Sequence, residues 1–319
     1  MIRALGFLAL ACAGLAQAQT SPEAMALLQR IYEATEKLSY TGTFVYQQGE
    51  RSETSRITRL AGGPGGGIER VEVLDGVPRE IVRTRDTVRC YLSQSQIVKV
   101  EPRTDPRAFP ALLPQRLGEL AHNYTITRGR PKRIAGFDSE SVALTPRDEL
   151  RYGYRLWADR GSGMLLKAQT FDQKGGTIEQ FMFTQLSIGN VPRERVRTRH
   201  AARDWRVEEA AVAPADLARS GWVVRAQLPG FRKVIEVTRN LREARPVGQV
   251  VYSDGLAAVS VFIEPMAGRS APLRPGLSSL GAFHIYTREV ANHVVTVVGE
   301  APAASVRRIA DTVEFRQPQ

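Results

Sequence analysis

The feature that most restricts the fold of this 319-residue chain is a long series of short runs in which apolar and polar residues alternate. A period of two is typical of β-strands that bury one face, and turn residues separate the runs. The runs before residue 190 are 40–48, 52–60, 68–74, 79–84, 87–92, 97–100, 124–128, 140–145, 152–159, 165–171 and 177–186. So many antiparallel strands must form a strongly curved sheet, which encloses an apolar cleft if it curls without closing.

One amphipathic helix precedes these strands. Ser21 can cap it, Pro22 suits its first turn, and Glu23 complements the helix dipole. Apolar side chains then recur at helical spacing, at Leu27, Leu28, Ile31, Ala34 and Leu38. Because this apolar stripe must be covered, we expect the helix to lie against the concave face of the sheet.

A second, smaller set of alternating runs follows, and a last amphipathic helix begins near residue 303. These runs are 222–228, 231–239, 247–253, 256–264, 282–287 and 293–299. Asp254-Gly255 lies between two of them and is a typical hairpin turn. The sequence therefore predicts an α+β protein that is mainly antiparallel β. It comprises an unclosed half-barrel domain at 19–188, a basic linker at 189–218 and a small sheet-and-helix domain at 219–319.

Residues 1–18 have the features of a secretory signal peptide. Arg3 provides the charged start, 4–15 is an apolar segment too short to span a bilayer, and 16–18 is a small-x-small cleavage site. A lipoprotein signal that ends at Cys12 is the alternative, but it would shorten the apolar segment. We therefore expect export to the periplasm and a mature chain that starts at Gln19.

The formal charge of +11 at pH 7 favours partners of opposite charge. An exported protein does not meet nucleic acid, so we expect an acidic protein or an anionic lipid, with solubility alone as the alternative explanation. The candidate anionic contacts are the arginines at every second position of the predicted linker, Arg193, Arg195, Arg197 and Arg199. The alternative for this segment is a solvated basic surface.

Motifs for catalysis or cofactor binding are absent from the sequence. It contains no G-x-S-x-G nucleophile elbow, no phosphate-binding glycine loop before a helix and no H-E-x-x-H helix. None of the four histidines has metal-ligand spacing to another histidine or to Cys90, the one cysteine of the mature chain. The sequence therefore predicts a binding protein without a catalytic centre, a metal site or a cofactor.

Aromatic residues fall on successive predicted strands, often two positions apart, and residues two apart share one face of a strand. Core packing is the general explanation for such residues, but in a half-open sheet the core face also lines the cleft. We therefore predict a cleft for the acyl chain of a lipid, lined by Phe44, Tyr46, Tyr154, Trp157, Phe171, Phe181 and Phe183.

Short motifs are spread over both predicted domains. In the first they are Leu-Asp-Gly at 74–76, Pro-Arg-Glu at 78–80, Arg-Ile-Ala-Gly at 133–136, Pro-Arg-Asp at 146–148, Arg-Tyr-Gly-Tyr-Arg-Leu-Trp at 151–157 and Ile-Glu-Gln-Phe at 178–181. In the second they are Leu-Pro-Gly-Phe at 228–231, Tyr-Ser-Asp-Gly-Leu at 252–256, Ser-Val-Phe-Ile-Glu at 260–264 and Thr-Val-Val-Gly-Glu at 296–300. In this order, they resemble the RseB/MucB family of periplasmic regulators of the extracytoplasmic stress sigma factor.

The resemblance implies a half-barrel similar to periplasmic lipoprotein carriers, followed by a small sheet-and-helix domain. It also implies that the chain binds the periplasmic domain of an RseA/MucA-like anti-sigma factor, shields it from stress-induced proteolysis and is released by lipopolysaccharide or lipid. For the partner contact we predict a hairpin with a surface-exposed turn, through Tyr252, Asp254, Gly255 and Phe262. A purely structural hairpin is the alternative. The alternative function is a lipid or lipoprotein carrier without a regulatory partner, and a homo-oligomer is compatible with either function.

Overall fold

The computed structural model describes residues 20–62, 67–103, 109–200, 202–225, 228–241, 245–267 and 274–317. The predicted signal peptide at 1–18 lies outside the described residues. Within the described ranges, no helix is both long and apolar enough to cross a bilayer.

The first element is helix α1 (Pro22–Lys37), which confirms the helix predicted from the apolar spacing. The Ser21 hydroxyl accepts a hydrogen bond from the backbone N–H of Ala24 (3.1 Å), as an N-cap residue does. The helix buries its apolar face through Leu27, Leu28, Ile31 and Ala34. Each such leucine or isoleucine stabilises the fold by about 1.5–3 kcal/mol relative to an exposed position.

The first sheet has twelve strands. They are β1 (Tyr40–Gln48), β2 (Arg51–Leu60), β3 (Ile68–Val73), β4 (Arg79–Arg83), β5 (Thr87–Leu92), β6 (Ile97–Pro102), β7 (Tyr124–Ile134), β8 (Phe137–Pro146), β9 (Gly153–Asp159), β10 (Leu165–Phe171), β11 (Thr177–Ile188) and β12 (Arg206–Glu209). Their order is β12-β6-β5-β4-β3-β2-β1-β11-β10-β9-β8-β7, and neighbours are antiparallel except for β12 with β6. Among the described strands β7 and β12 form the two edges, so the predicted unclosed sheet is confirmed.

The concave face of this sheet holds the first core. Helix α1 packs there against apolar side chains of the sheet, among them Ile57, Ile126, Val142, Leu144 and Leu156. Before β7, a single turn of 3₁₀ helix (Leu117–Glu119) continues into the short helix α2 (Leu120–Asn123). Leu117 and Leu120 of this turn close one end of the same core.

The second domain has a seven-stranded antiparallel sheet with one helix. Its strands are β13 (Val212–Pro214), β15 (Arg232–Leu241), β16 (Arg245–Ser253), β17 (Ala258–Pro265), β18 (Gly276–Leu280), β19 (Phe283–Val290) and β20 (His293–Gly299). Helix α3 (Ala303–Asp311) covers one face through Val306, Ile309 and Ala310. A short pair, β14 (Trp222–Val223) with β21 (Glu314–Phe315), completes the domain. Together the two domains confirm the predicted α+β class.

The predicted linker at 189–218 is not a free tether. It crosses the outer face of the first sheet as a 3₁₀ turn (Arg193–Val196), in which the Val196 side chain is buried. It then adds β12 to the first sheet and β13 to the second. The sequence predicts a basic linker, with a solvated basic surface as the alternative, and the apolar side chain of Val196 gives the segment a buried side that packs on the sheet.

Candidate functional site

A cavity of about 450 Å³ lies between the two domains. This volume is within the range of roughly 300–1,000 Å³ that small-molecule sites occupy. The first domain contributes Phe44, Val71, Arg83, Phe109, Leu112, Leu113, Tyr154, Leu156, Ala168, Thr170, Glu179 and Phe181. The second contributes Leu256, Ala258, Ser260, Phe283, Val298, Gly299 and Glu300. Neither domain alone forms the site.

Three phenylalanines, Phe44, Phe109 and Phe181, form the apolar floor of the cavity, and Phe183 packs behind them. The strands β1 and β11 place Phe44 opposite Phe183, and their ring centroids are 6.0 Å apart. Phe109 stacks on Phe181 with a centroid distance of 5.1 Å and an interplanar angle of 9°. It also lies 5.2 Å from Phe44. Offset and edge contacts of this kind add about 0.5–1.5 kcal/mol per pair to the burial of the rings.

Phe109 is the residue of this floor that the sequence interpretation missed, together with Leu112 and Leu113. All three lie among the prolines at 102, 106, 110 and 114, which interrupt the series of predicted strands. The signal that could have found them is the apolar composition of residues 109–113, which lie between Pro106 and Pro114. A loop so apolar must be covered, because exposure would forfeit its burial energy.

One end of the cavity is polar. Glu179 is 6% exposed, and it accepts hydrogen bonds from the hydroxyls of Tyr46 (2.8 Å) and Thr170 (3.1 Å). Burial, followed by the hydrogen bond to Glu179, raises the pKa of the Tyr46 hydroxyl well above its ordinary value. Arg83 also lines the cavity and forms an ion pair with Glu69 (2.5 Å). By strand register, Arg83 lies toward the opposite end of the strands from Glu179, so the cavity suits an amphiphile with an apolar body and more than one polar group.

A buried ion pair joins the two domains beside the cavity. The Arg151 side chain is 0% exposed, and its Nη1 lies 2.6 Å from Oδ2 of Asp254 in the other domain. On its own side, Arg151 pairs with Asp148 through Nε (3.0 Å). The Tyr124 hydroxyl donates a further hydrogen bond to Asp254 (3.0 Å). The guanidinium lies over the rings of Tyr124 and Phe231, so its apolar faces are covered as well.

This arrangement corrects the expectation that the Asp254-Gly255 turn is exposed. Asp254 and Tyr252 are buried, and the Tyr252 hydroxyl donates to the carbonyl oxygen of Val224 (2.8 Å). Gly255 lies against the first domain, close to Pro114. The turn faces inward because the first domain supplies the cation that its carboxylate needs. Phe262 is half-buried, on the same side of β17 as the cavity residues Ala258 and Ser260.

The predicted cleft residues divide between the two faces of the first sheet. Phe44, Tyr154 and Phe181 line the cavity. Phe183 packs against Phe44 behind them, and Tyr46 adjoins the polar end through Glu179.

The prediction is wrong for Trp157 and Phe171, which lie on the outer face. Trp157 packs with Ile134 and Leu166, and Phe171 is covered by the guanidinium of Arg155 at 4.2 Å. Tyr154 and Trp157 are three positions apart, so the period of two places them on opposite faces. Phe171 directly follows Thr170, which lines the cavity, so the same alternation turns Phe171 to the outer face.

The four predicted anionic contacts, Arg193, Arg195, Arg197 and Arg199, are all exposed on the outer face of the first sheet. They do not approach the cavity between the domains. Among the residues that the structure describes, no group of three or more histidine, cysteine, aspartate or glutamate side chains is placed to hold a metal ion.

Comparisons with known proteins match both domains of the chain. The family models for the MucB/RseB N-terminal domain and the MucB/RseB C-terminal domain match residues 23–209 and 216–314. The sigma factor AlgU regulatory protein MucB of Pseudomonas aeruginosa is 32% identical over 298 residues, which are 89% of this chain and 88% of that protein. The sigma-E factor regulatory protein RseB of Escherichia coli is 26% identical over 310 residues, which are 95% and 94% of the two chains.

Solved structures extend this similarity to three dimensions. MucB in the complex of Pseudomonas aeruginosa MucA and MucB superposes with a TM-score of 0.71 at 30% identity, over 92% of this chain and 99% of that one. A second structure, of MucB in complex with MucA(peri), superposes with a TM-score of 0.70 at 29% identity, over 92% and 99% of the two chains. With both family models matched in order and a relative above 30% identity along most of its length, this chain belongs to the MucB/RseB family.

Proposed function

We propose that this chain is a periplasmic negative regulator of an envelope-stress sigma factor. It binds the periplasmic domain of an RseA/MucA-like membrane anti-sigma factor and protects that domain from stress-induced proteolysis. The observation that carries this proposal is the similarity to MucB over both domains, since MucB has been solved in complex with MucA. The predicted signal peptide supplies the route to the periplasm.

The surface where the domains meet is the proposed contact for the anti-sigma segment. Phe283 lines the cavity there and is 37% exposed, and Phe262 is half-buried on the same side of β17 as the cavity residues Ala258 and Ser260. Aromatic side chains in such positions often dominate the affinity of a protein interface. Asp254 and Gly255 act from beneath this surface, because they hold the second domain against the first. Tyr252 supports them from within the second domain, where its hydroxyl donates to the carbonyl oxygen of Val224.

The cavity is the proposed site for the lipid that releases the partner. Burial of an acyl chain contributes roughly 0.8 kcal/mol per methylene before ordering costs. The lipid can shift the binding of the partner only by its different affinity for the free and bound forms. Since both domains line the cavity, a change in their relative position changes the lipid affinity, which meets this condition.

Binding of the mature chain to the periplasmic domain of the anti-sigma factor tests the proposal directly. We expect saturable binding by calorimetry, and release when lipopolysaccharide is added. Phe262→Ala should lower the affinity by about tenfold, as expected for an aromatic contact of about 1.4 kcal/mol. Val234→Ala is the matched control, since Val234 is an exposed apolar side chain of the second sheet outside the cavity.

Different outcomes contradict different parts of the proposal. No binding of the anti-sigma domain removes the regulatory function and favours the alternative, a lipid or lipoprotein carrier, which the apolar cavity alone would serve. Binding without release by lipopolysaccharide keeps the partner but removes the lipid signal. Equal losses for Phe262→Ala and Val234→Ala place the contact elsewhere.

A further inference from the structure

A second pocket lies on the outer face of the first sheet, opposite the cavity. The strands β11, β1, β2 and β3 lie side by side there and present two rows of polar side chains across the sheet. By strand register, one row is Ser187, Thr41, Thr58 and Arg70, and the other is Gln185, Thr43, Arg56 and Glu72. The intervening residues Gly42, Ile57 and Val71 are on the concave side, so these rows belong to the outer face.

The segment that crosses the outer face forms one wall of this pocket. Val196 buries its side chain, and the carbonyl oxygen of Arg197 accepts a hydrogen bond from Nη1 of Arg70 (3.0 Å). Arg199 reaches Glu72 through its own Nη1 (3.1 Å). The result is a pocket of about 440 Å³ in which Arg195 and Arg199 of the segment stand beside the sheet residues. Arg193 and Arg197 are outside its lining.

Positive charge exceeds negative charge in this pocket. Four guanidinium groups line it, those of Arg56, Arg70, Arg195 and Arg199. Three of them share the one carboxylate of Glu72, at 3.5 Å, 3.6 Å and 3.1 Å for Arg56, Arg70 and Arg199. Glu72 is 20% exposed, and the buried carboxylate of Glu80 nearby accepts the backbone N–H of Arg199 at 3.3 Å. Among the described residues, Arg195 has no ion-pair partner.

The pocket also contains hydrogen-bond donors that the protein leaves unused. Arg70 is 4% exposed, and its Nε has no hydrogen-bond partner among the described residues. A buried donor without a partner costs about 1–3 kcal/mol, so an acceptor brought by a ligand would recover that loss. Thr43 and Ser187 also line the pocket, and their hydroxyls can donate to an oxyanion, whereas the Thr41 hydroxyl is hydrogen-bonded to that of Thr58 (3.2 Å).

We propose that this pocket binds a phosphate group, free or carried by the head group of a lipid. Several guanidinium forks around hydroxyl donors match the charge and the oxygen geometry of a phosphate better than those of a neutral ligand. The site lies on the face of the sheet opposite the interdomain cavity, and it shares none of the cavity lining residues. The proposal therefore stands independently of the regulatory function.

Calorimetry of the mature chain with inorganic phosphate and with pyrophosphate tests the site. Saturable 1:1 binding is expected, with an affinity that falls as ionic strength rises. Arg56→Gln and Arg195→Gln should each weaken binding at least tenfold; both side chains are accessible, so their loss should leave the urea midpoint unchanged. Arg193→Gln is the matched control, because it removes the same charge from the same segment outside the pocket.

Two sources of the phosphate group are then compared. Binding to inorganic phosphate that is lost in Arg195→Gln supports a site for the free anion. Binding only to vesicles that contain phosphatidic acid, with the same dependence on Arg195, supports a lipid head group. An equal loss in Arg193→Gln and Arg195→Gln would show unspecific attraction to basic surface, and it would overturn the proposal, as would the lack of saturable binding to any of the three probes.

Discussion

The Asp75-Gly76 turn of the first domain and the Asp254-Gly255 turn of the second carry the same dipeptide between two strands, and only the second is buried. Asp75 is exposed, as are its neighbours Leu74 and Val77. Both of its carboxylate oxygens accept the same backbone N–H, that of Thr54 (2.9 Å and 3.0 Å). Among the described residues, the hydrogen bonds of this carboxylate stay within its own sheet.

The Asp254 carboxylate divides its two oxygens between two tasks. Oδ1 accepts the backbone N–H groups of Leu256 (2.9 Å) and Ala257 (2.8 Å), which shape the turn itself. Oδ2 accepts from Tyr124 and Arg151 of the first domain. One turn therefore closes a hairpin, whereas the other closes a hairpin and fastens two domains. The Asp-Gly dipeptide predicts a hairpin turn in both places. The contact between domains depends on Tyr124 and Arg151, which are more than a hundred residues away from Asp254.

The largest difference between the turns is expected from removal of the carboxylate of Asp254. Asp254→Ala leaves Arg151 buried with half of its charge compensation, so the free energy of unfolding should fall by about 3–5 kcal/mol. Urea unfolding at pH 7 measures this loss. A double-mutant cycle with Arg151→Met should give a coupling energy of up to about 3 kcal/mol. A loss below about 1 kcal/mol would mean that the interdomain pair contributes little to stability.

Replacing the glycine of each turn by alanine should have different effects on stability, because the two turns have different surroundings. Gly255 has φ +102° and a Cβ there would lie 3.2 Å from Pro114, so Gly255→Ala combines backbone strain with a contact across the domain interface. We expect a loss of about 2 kcal/mol. Gly76 has φ +72° and nothing within 4 Å of a Cβ, so Gly76→Ala should cost about 1 kcal/mol from strain alone. Equal losses of unfolding free energy in the two variants would show that Pro114 moves aside for the added methyl group without destabilising the protein.

The hydroxyl of Tyr124 makes the buried turn sensitive to high pH. Burial, with the adjacent Asp254 carboxylate, raises the pKa of Tyr124 well above its ordinary value. In the unfolded chain the Tyr124 hydroxyl ionises from about pH 10 upward, whereas in the folded chain it stays neutral to a higher pH. The stability that this group contributes is therefore complete below about pH 10 and is lost as the pH rises above it. Tyr124→Phe should cost about 1.5 kcal/mol at pH 7 and flatten the fall of stability between pH 10 and 12. If Tyr124→Phe left the slope of unfolding free energy against pH unchanged between pH 10 and 12, Tyr124 would not be the group that causes the loss.

The smallest effect is expected at the exposed turn. Asp75→Ala removes one accepted hydrogen bond in solvent and should lower the free energy of unfolding by less than about 1 kcal/mol. The same urea titration measures it beside Asp254→Ala. A loss close to that of Asp254→Ala would mean that the dipeptide itself, and not its surroundings, determines the importance of an Asp-Gly turn.

Local patterns predicted most of the elements, because they depend on residues that are close in the sequence. The stripe from Leu27 to Leu38 gave α1, and the alternation gave the strands on both sides of each Asp-Gly pair. A strict application of the same period would have placed Trp157 away from Tyr154. The candidate site was harder, since Arg151 and Asp254 meet across 103 positions and neither carries a local sign of its partner. Phe109 escaped because it lies in an irregular segment, where no periodicity exists.

The shared walls of the cavity have a thermodynamic consequence. A ligand in this cavity would contact both domains, so it would favour the relative position of the domains at which it binds most tightly. No chain of rearrangements through either core would be required for such coupling. The ion pair of Arg151 with Asp254 lies at the same junction, so its free energy would oppose any other position of the domains.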